Sequence, residues 1–278
     1  MKLHLHLGAH KTATTHFQNV LEVNRHLYNR NINYISMEEF RKELNWRDGC
    51  LNYTLCERYL DKLKSSSPDT LVISEENLSG ETKDIYKHFF LYSDIAKRLS
   101  SFVHFTESFD EVEIWFSIRS MDGFLPSIYC ESLRHWPYNK FENVYSGNYN
   151  QTWLPVIESI RRVFPESRIN VIRYENYTAS LPYVIDRVFG GSESWEYLES
   201  ERSRVSMNHY ACKLMKAGRF FIPRNKSSCV IQSLSNILDR TKIGFKFSPF
   251  KKPQVEGFLD VYSSDVRQIR FLENVHIY

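Results

Sequence analysis

The sequence predicts an α/β fold with a central parallel sheet, on three observations. Short apolar runs recur at Met1–Leu7, Thr70–Ile73, Glu111–Ile118 and Ile169–Ile172. Stretches of helical periodicity separate them, the alternation expected of strands joined by crossover helices. Each run stops at polar or charged residues, and the carboxyl ends of parallel strands are where such sheets present ligands.

The 278 residues suit one α/β domain over 1–278, with a polar, aromatic and proline-containing excursion at 134–149 as the candidate substrate-facing segment. A hydrophobic fraction of 42% supplies a core, and 25% charged residues supply a solvated surface. The net charge of +3 is too small to imply a nucleic-acid partner. Five scattered cysteines form no CxxC pair and no cluster with metal spacing, which argues for a reducing compartment and against structural zinc. No apolar run approaches the length of a transmembrane span, so a cytoplasmic location is expected. The oligomeric state is not legible.

The first run alternates leucine with His4 and His6, which suits a strand with one face packed and the other partly polar. Phe17, Val20, Leu21 and Leu27 then mark a helix, Asn31–Ile35 a short strand and Met37–Arg47 another helix. Leu51, Leu55, Tyr59 and Leu63, spaced by four, mark a third helix, which Ser65–Asp69 ends. Thr70–Ile73 has the length of a buried parallel strand. A helix is expected over Lys83–Leu99, then the strand Glu111–Ile118. Asp122 is the expected cap of a helix through Leu133, with Pro126 near its first turn. Asn148–Phe164 reads as an amphipathic helix, Ile169–Ile172 as a strand, and Ser180–Phe189 as a helix capped by Ser180 and ended by Gly190 and Gly191. Further helices are expected from Ser206 to Lys216, over Ser227–Leu238 and over Val255–Leu272, with a basic irregular stretch at Thr241–Pro253.

Three strand ends carry compatible chemistry. After the first comes Gly8-Ala9-His10-Lys11-Thr12-Ala13-Thr14-Thr15 and then a helix. A strand, a small polar loop with a lysine and a helix N-terminus form an arrangement that cradles phosphate. It is not a Walker A loop, because Lys11 follows Gly8 by only three residues. The second strand end offers Ser74, Glu75 and Glu76, and the third offers Arg119, with Ser127 eight residues later.

These residues resemble the P-loop-like sulfotransferases that use 3′-phosphoadenylyl sulfate (PAPS), in particular their bacterial carbohydrate-type branch. GAHKTATT resembles the family's first motif, GxxKTGTT, with Ala13 in place of a glycine. IWFSIRSMDGFLPSIY resembles its second, an apolar strand ending in arginine with a serine eight residues on. LVISEENL, INVIRYENY, RVSMNHYACKLMKAG and YSSDVRQIRFL extend the resemblance over most of the chain. It implies a three-layer sandwich of the P-loop-containing nucleotide hydrolase-like type, with PAPS as donor, the bisphosphate PAP as product and no metal requirement.

The resemblance also implies roles. Lys11 would contact the 5′-phosphate and the leaving oxygen, where a fixed cation stabilises developing charge. Gly8, Ala9, His10, Thr12, Ala13, Thr14 and Thr15 would complete the 5′-phosphate loop. Arg119 and Ser127 would bind the 3′-phosphate, and Arg204 would close over the nucleotide. Ala13 is read as already in the first helical turn, where alanine costs nothing. The acceptor hydroxyl needs a base. Glu76 is the first choice, Glu75 the second, and His10 a further candidate; a solvated turn at Glu75 and Glu76 and a structural His10 stay open.

A saccharide or glycolipid acceptor is expected from the resemblance, with a tyrosyl peptide or a small metabolite as alternatives. A non-catalytic nucleotide-binding protein on the same scaffold is the other reading. A kinase-like enzyme would require a true Walker loop.

Overall fold

The computed structural model describes residues 1–28, 31–46, 51–82, 85, 91–145, 151–197, 207–218, 220–241, 243 and 245–278. Six strands form its sheet: β1 (Lys2–His6), β2 (Ile32–Ile35), β3 (Thr70–Ser74), β4 (Glu111–Ile118), β5 (Arg168–Arg173) and β6 (Val275–Ile277). Their order is β2-β3-β1-β4-β5-β6, and every pair is parallel. The chain leaves β1 to one side for β2 and β3, then crosses to the other side for β4. β1 is therefore the point where the strand order reverses, and the crevice beyond its carboxyl end is the natural ligand position.

Among the described residues twelve helices connect and follow the strands: α1 (Thr14–Val23), α2 (Met37–Glu43), α3 (Tyr53–Ser66), α4 (Ile95–Ser100), α5 (Val103–Thr106), α6 (Met121–His135), α7 (Phe141–Val144), α8 (Leu154–Val163), α9 (Tyr177–Phe189), α10 (His209–Gly218), α11 (Ser227–Arg240) and α12 (Lys252–Ile269). Both faces of the sheet are covered. Leu3, Leu5 and Leu7 join a core with α3, α4, α6, α8 and α12. On the other face Val72, Trp115 and Ile172 pack with Phe17, Val20 and Leu21 of α1 and with Leu181, Val184 and Ile185 of α9.

This two-sided burial refines the expectation for β1, whose second face is partly polar, as expected, but also packed. His4 and His6 are both buried. Trp115 Nε1 donates to His4 Nδ1 at 3.2 Å, and His6 Nδ1 lies 2.8 Å from Ser74 Oγ. Below them Glu113 is fully buried and holds Arg187 through two bonds of 3.1 and 2.6 Å, with Asn170 Nδ2 donating at 3.1 Å. Burial works to raise the Glu113 pKa, but Arg187, His4 and Lys2 outweigh it and leave it lowered.

Other expectations shift for local reasons. The helix expected over Lys83–Leu99 is present among the described residues only as α4, and Ser206 lies outside them. Ser120, not Asp122, is the N-cap residue of α6, and Pro126 is inside that helix, not at its start. α9 begins at Tyr177, because a 3-10 turn over Tyr174–Asn176 leads straight into it from β5; Ser180 is an interior residue. α8 begins only at Leu154, where Asp265 of α12 accepts the Trp153 N–H at 2.6 Å. In the expected excursion Phe141 is buried against Tyr129, Phe247 and Phe250 and stacks on the buried Tyr145, while residues 146–149 lie outside the described residues. The strand β6 was not anticipated. Among the described residues no helix is long and apolar enough to cross a membrane.

Burial lowers the pKa of His4, against the pull of Glu113, and of His6 from 6.5 to about 4. Unfolded, each takes up a proton near pH 6.5; folded, each stays neutral until about pH 4. Stability is therefore complete above the first value and is lost as pH falls towards the second. Urea unfolding should show this loss at up to about 1.4 kcal/mol per pH unit per histidine. A His4→Gln/His6→Gln chain should have a flatter profile; two parallel profiles would refute the assignment.

Candidate functional site

The loop from β1 to α1 is shaped by left-handed backbone. Gly8, Lys11 and Ala13 have φ of 50°, 63° and 70°. Gly8 is required, since a Cβ there would lie 2.8 Å from Thr14 Oγ1. Left-handed residues set among right-handed ones turn successive N–H groups towards one point, the concavity that binds anions. The amides of Lys11, Ala13, Thr14 and Thr15 donate to no other described residue. The Thr12 and Thr14 hydroxyls both turn inward to the Ala9 carbonyl, so their part is to close the loop, while Thr15 is exposed. Ala13 is the residue before α1, in left-handed conformation. The reading that placed it in the first helical turn is corrected: here glycine would be unstrained and alanine is not.

Lys11 is half-buried, and its Nζ lies 3.1 Å from Glu131 Oε2 of α6. Its carbonyl accepts from Arg119 Nη1 at 2.9 Å. Arg119, at the end of β4, is buried and lies over the Tyr174 ring at 4.2 Å. Burial lowers the pKa of its guanidinium, against the influence of Tyr174, Glu175 and Asp122. Its Nε and Nη2 make no hydrogen bond to a described residue. A Cβ on Gly123 would come within 3.0 Å of Nε, so this glycine makes the room in which the guanidinium lies. Glu175 accepts from Ser120 N at 3.0 Å and from the Tyr262 hydroxyl at 2.7 Å, which secures the end of β4.

Spacing explains why α6 serves this loop. Gly123, Ser127 and Glu131 follow one another at intervals of four and so lie on one helix face. Gly123 borders Arg119 and Glu131 meets Lys11, which places the buried Ser127 between them. Glu131 also accepts from His135 Nε2 at 3.2 Å.

The end of β3 forms the opposite wall. Glu75 is fully buried and gripped by Arg41 through bonds of 2.6 and 2.8 Å, while its Oε1 also accepts from Asn77 N at 2.9 Å. That carboxylate is a structural strut. Glu76, beside it, is half-buried, and its carboxylate takes no hydrogen bond among the described residues. His10 is buried with both ring nitrogens engaged: Nδ1 at 3.0 Å from the Tyr92 hydroxyl and Nε2 at 3.1 Å from Asn77 Oδ1. Its own amide donates to the same Tyr92 oxygen at 2.9 Å. Burial raises the Tyr92 phenol, which stays protonated and donates to Nδ1. His10 is thus a latch between the loop and the β3 end.

These contacts join the loop Gly8–Thr15 to Arg119 and α6 on one side, and through His10 and Asn77 to the Glu75–Glu76 turn on the other. Arg204 lies outside the described residues. Glu131, Gly123, Arg41, Asn77 and Tyr92 were not singled out in the sequence. The interval of four that runs on from Ser127 to Glu131 was the available signal for the first; Arg41 reaches Glu75 across 34 positions and has no local signal. No family model matches the chain, and no curated protein matches it.

Replacing Ala13 by glycine should remove about 1–2 kcal/mol of left-handed strain. It should loosen the unfolded chain by about 0.4–1 kcal/mol. Ala13→Gly should thus raise stability by up to about 1.6 kcal/mol, read as a higher melting temperature. A lower one would show that the Ala13 methyl contributes packing that outweighs the strain.

Proposed function

We propose that the chain is a PAPS-dependent sulfotransferase of the P-loop-like type, transferring a sulfuryl group to a hydroxyl of a saccharide or glycolipid. The observation that carries this reading is the crevice beyond β1. There the amides of Lys11, Ala13, Thr14 and Thr15, the Lys11 ammonium and two donors of the buried Arg119 are within one loop and its neighbouring strand end. Such a donor set suits a ligand with two separated anionic groups. PAPS supplies an already activated sulfuryl group.

In this reading the loop amides bind the 5′-phosphate. Arg119 offers Nε and Nη2 to the 3′-phosphate, with Ser127 beside it on α6. Lys11 faces the bridging oxygen and stabilises the electron pair that oxygen receives as its bond to sulfur breaks. The acceptor oxygen forms the new bond to sulfur, and its proton passes to a carboxylate. Glu76 is the proposed base, because Glu75 is committed to Arg41 and Asn77. Glu131 orients Lys11 and competes with the bound anion for it.

A groove supports the saccharide preference. It encloses about 430 Å³, and Tyr138, Asn139, Lys140, Asn143, Phe220 and Arg224 are among its walls. Aromatic faces with amide and cationic donors suit a hydroxyl-rich ligand. Only two residues, Trp136 and Pro137, separate Tyr138 of this groove from the end of α6, the helix that carries Glu131.

Transfer of label from PAPS to a panel of glycans, glycolipids and tyrosyl peptides tests the function. Lys11→Ala should lose at least about a hundredfold in kcat while remaining folded; normal turnover would refute its role. Glu76→Gln should lose about 10²–10⁴ in kcat with PAP affinity retained. Glu131→Gln should instead bind PAP more tightly, since a competing carboxylate has gone. PAP binding without transfer to any acceptor would favour a nucleotide-binding protein.

A further inference from the structure

One stretch of the chain departs from the charge balance of the rest. Residues 207–254 contain ten Lys or Arg and a single acid, Asp239, a net charge of +9. With +3 for the whole chain, the other 230 residues carry −6. The same stretch, which includes α10 and α11, also exposes large apolar side chains. Phe221 is 88% exposed, and Leu214, Ile237, Ile243 and Phe245 are each more than half exposed.

Apart from Ile237 on α11, these side chains follow one line. Tyr210 and Leu214 are four apart on α10 and share a face, and Gly218 continues that face by one more turn. The Phe221 N–H donates to the Gly218 carbonyl at 2.9 Å, which sets Phe221 at the end of the stripe. At the other end the Phe245 ring stacks on His209, with centroids 4.6 Å apart, and lies 5.8 Å from that of Tyr210. Asn208 Nδ2 donates to the Ile243 carbonyl at 2.8 Å and brings Ile243 to the same end. Lys213 lies within the stripe, and Arg224 and Lys226 follow its Phe221 end.

We propose that this face docks on an anionic phospholipid bilayer. Leu214 and Phe221 enter the boundary between headgroups and acyl chains, and Lys213 and Lys226 meet the lipid phosphates. An apolar line flanked by cations, with no carboxylate among its members, is the pattern of an interfacial segment. An acidic polysaccharide would satisfy the cations but offers no apolar phase to take up Leu214 and Phe221; a bilayer provides both. This docking does not depend on the reaction proposed for the β1 crevice.

Co-sedimentation of the full chain with vesicles tests it. Vesicles of phosphatidylcholine containing about 30% phosphatidylglycerol should bind the protein at least about tenfold more tightly than phosphatidylcholine alone. Raising salt from about 0.1 to about 0.5 M should weaken that binding. The Leu214→Ser/Phe221→Ser chain should bind at least about tenfold more weakly, with its melting temperature unchanged. Phe221→Trp should shift its emission to the blue on anionic vesicles and be quenched by lipids brominated in the acyl chain. No binding to anionic vesicles, or equal binding by the double variant, would overturn the proposal. So would capture by heparin or by an acidic protein without vesicle binding, either of which would reassign the basic face.

Discussion

The hydrogen bond from Arg119 to the Lys11 carbonyl is the constraint on which the crevice depends. It ties the end of β4 to the middle of the β1 loop, and it holds Lys11 in a left-handed conformation that the residue would not adopt unaided. A hydrogen bond from a charged donor contributes about 1.5–3 kcal/mol. Stacking on Tyr174 adds to it where the guanidinium is desolvated. The junction has its own supports. Gly123 leaves the space, Glu175 fixes Ser120, and Trp153 Nε1 donates to the Arg119 carbonyl at 2.6 Å. Through these contacts β5, α6, α8 and α12 all bear on a loop that follows the first strand.

Two adjacent carboxylates show how burial and partners separate residues of the same type. Glu75 points into the protein and is neutralised by the fork of Arg41; Glu76 stands half-buried at the rim. In sequence only the resemblance ranks them, with Glu76 first; what separates them physically is the reach of Arg41. The lysine of the loop has acquired a carboxylate of its own from α6, so the crevice contains a matched charge pair rather than a bare cation. That pair makes Lys11 more than a point of positive charge. Its position is defined from both sides, by Arg119 at its backbone and by Glu131 at its ammonium.

The parts of the fold legible in the sequence were those with a local cause. β4 spans Glu111–Ile118 as its apolar run predicts, and Gly190 and Gly191 end α9 because only a residue tolerant of positive φ suits that position. The loop Gly8–Thr15 was legible as a glycine-led turn between a strand and a helix. Its internal wiring was not: Thr12 and Thr14 turn away from the crevice because the Ala9 carbonyl needs donors. β6 was missed because three residues give no period to detect, and it exists by pairing with β5. The start of α8 was misplaced because its capping carboxylate, Asp265, comes from α12.

By itself the sequence determined β1 to β5 and several of the helices between them, that β1 is followed by a glycine-led loop with a lysine, and that Arg119 and Ser127 stand eight apart. These follow from side-chain periodicity and backbone preference, which act over a few residues. Only the tertiary structure decided that Glu131 faces Lys11, that Arg41 claims Glu75, that His10 is latched and that Ala13 is left-handed. Each of these depends on groups brought together by the order β2-β3-β1-β4-β5-β6, and the energy of a buried charge or a strained backbone is set by those neighbours.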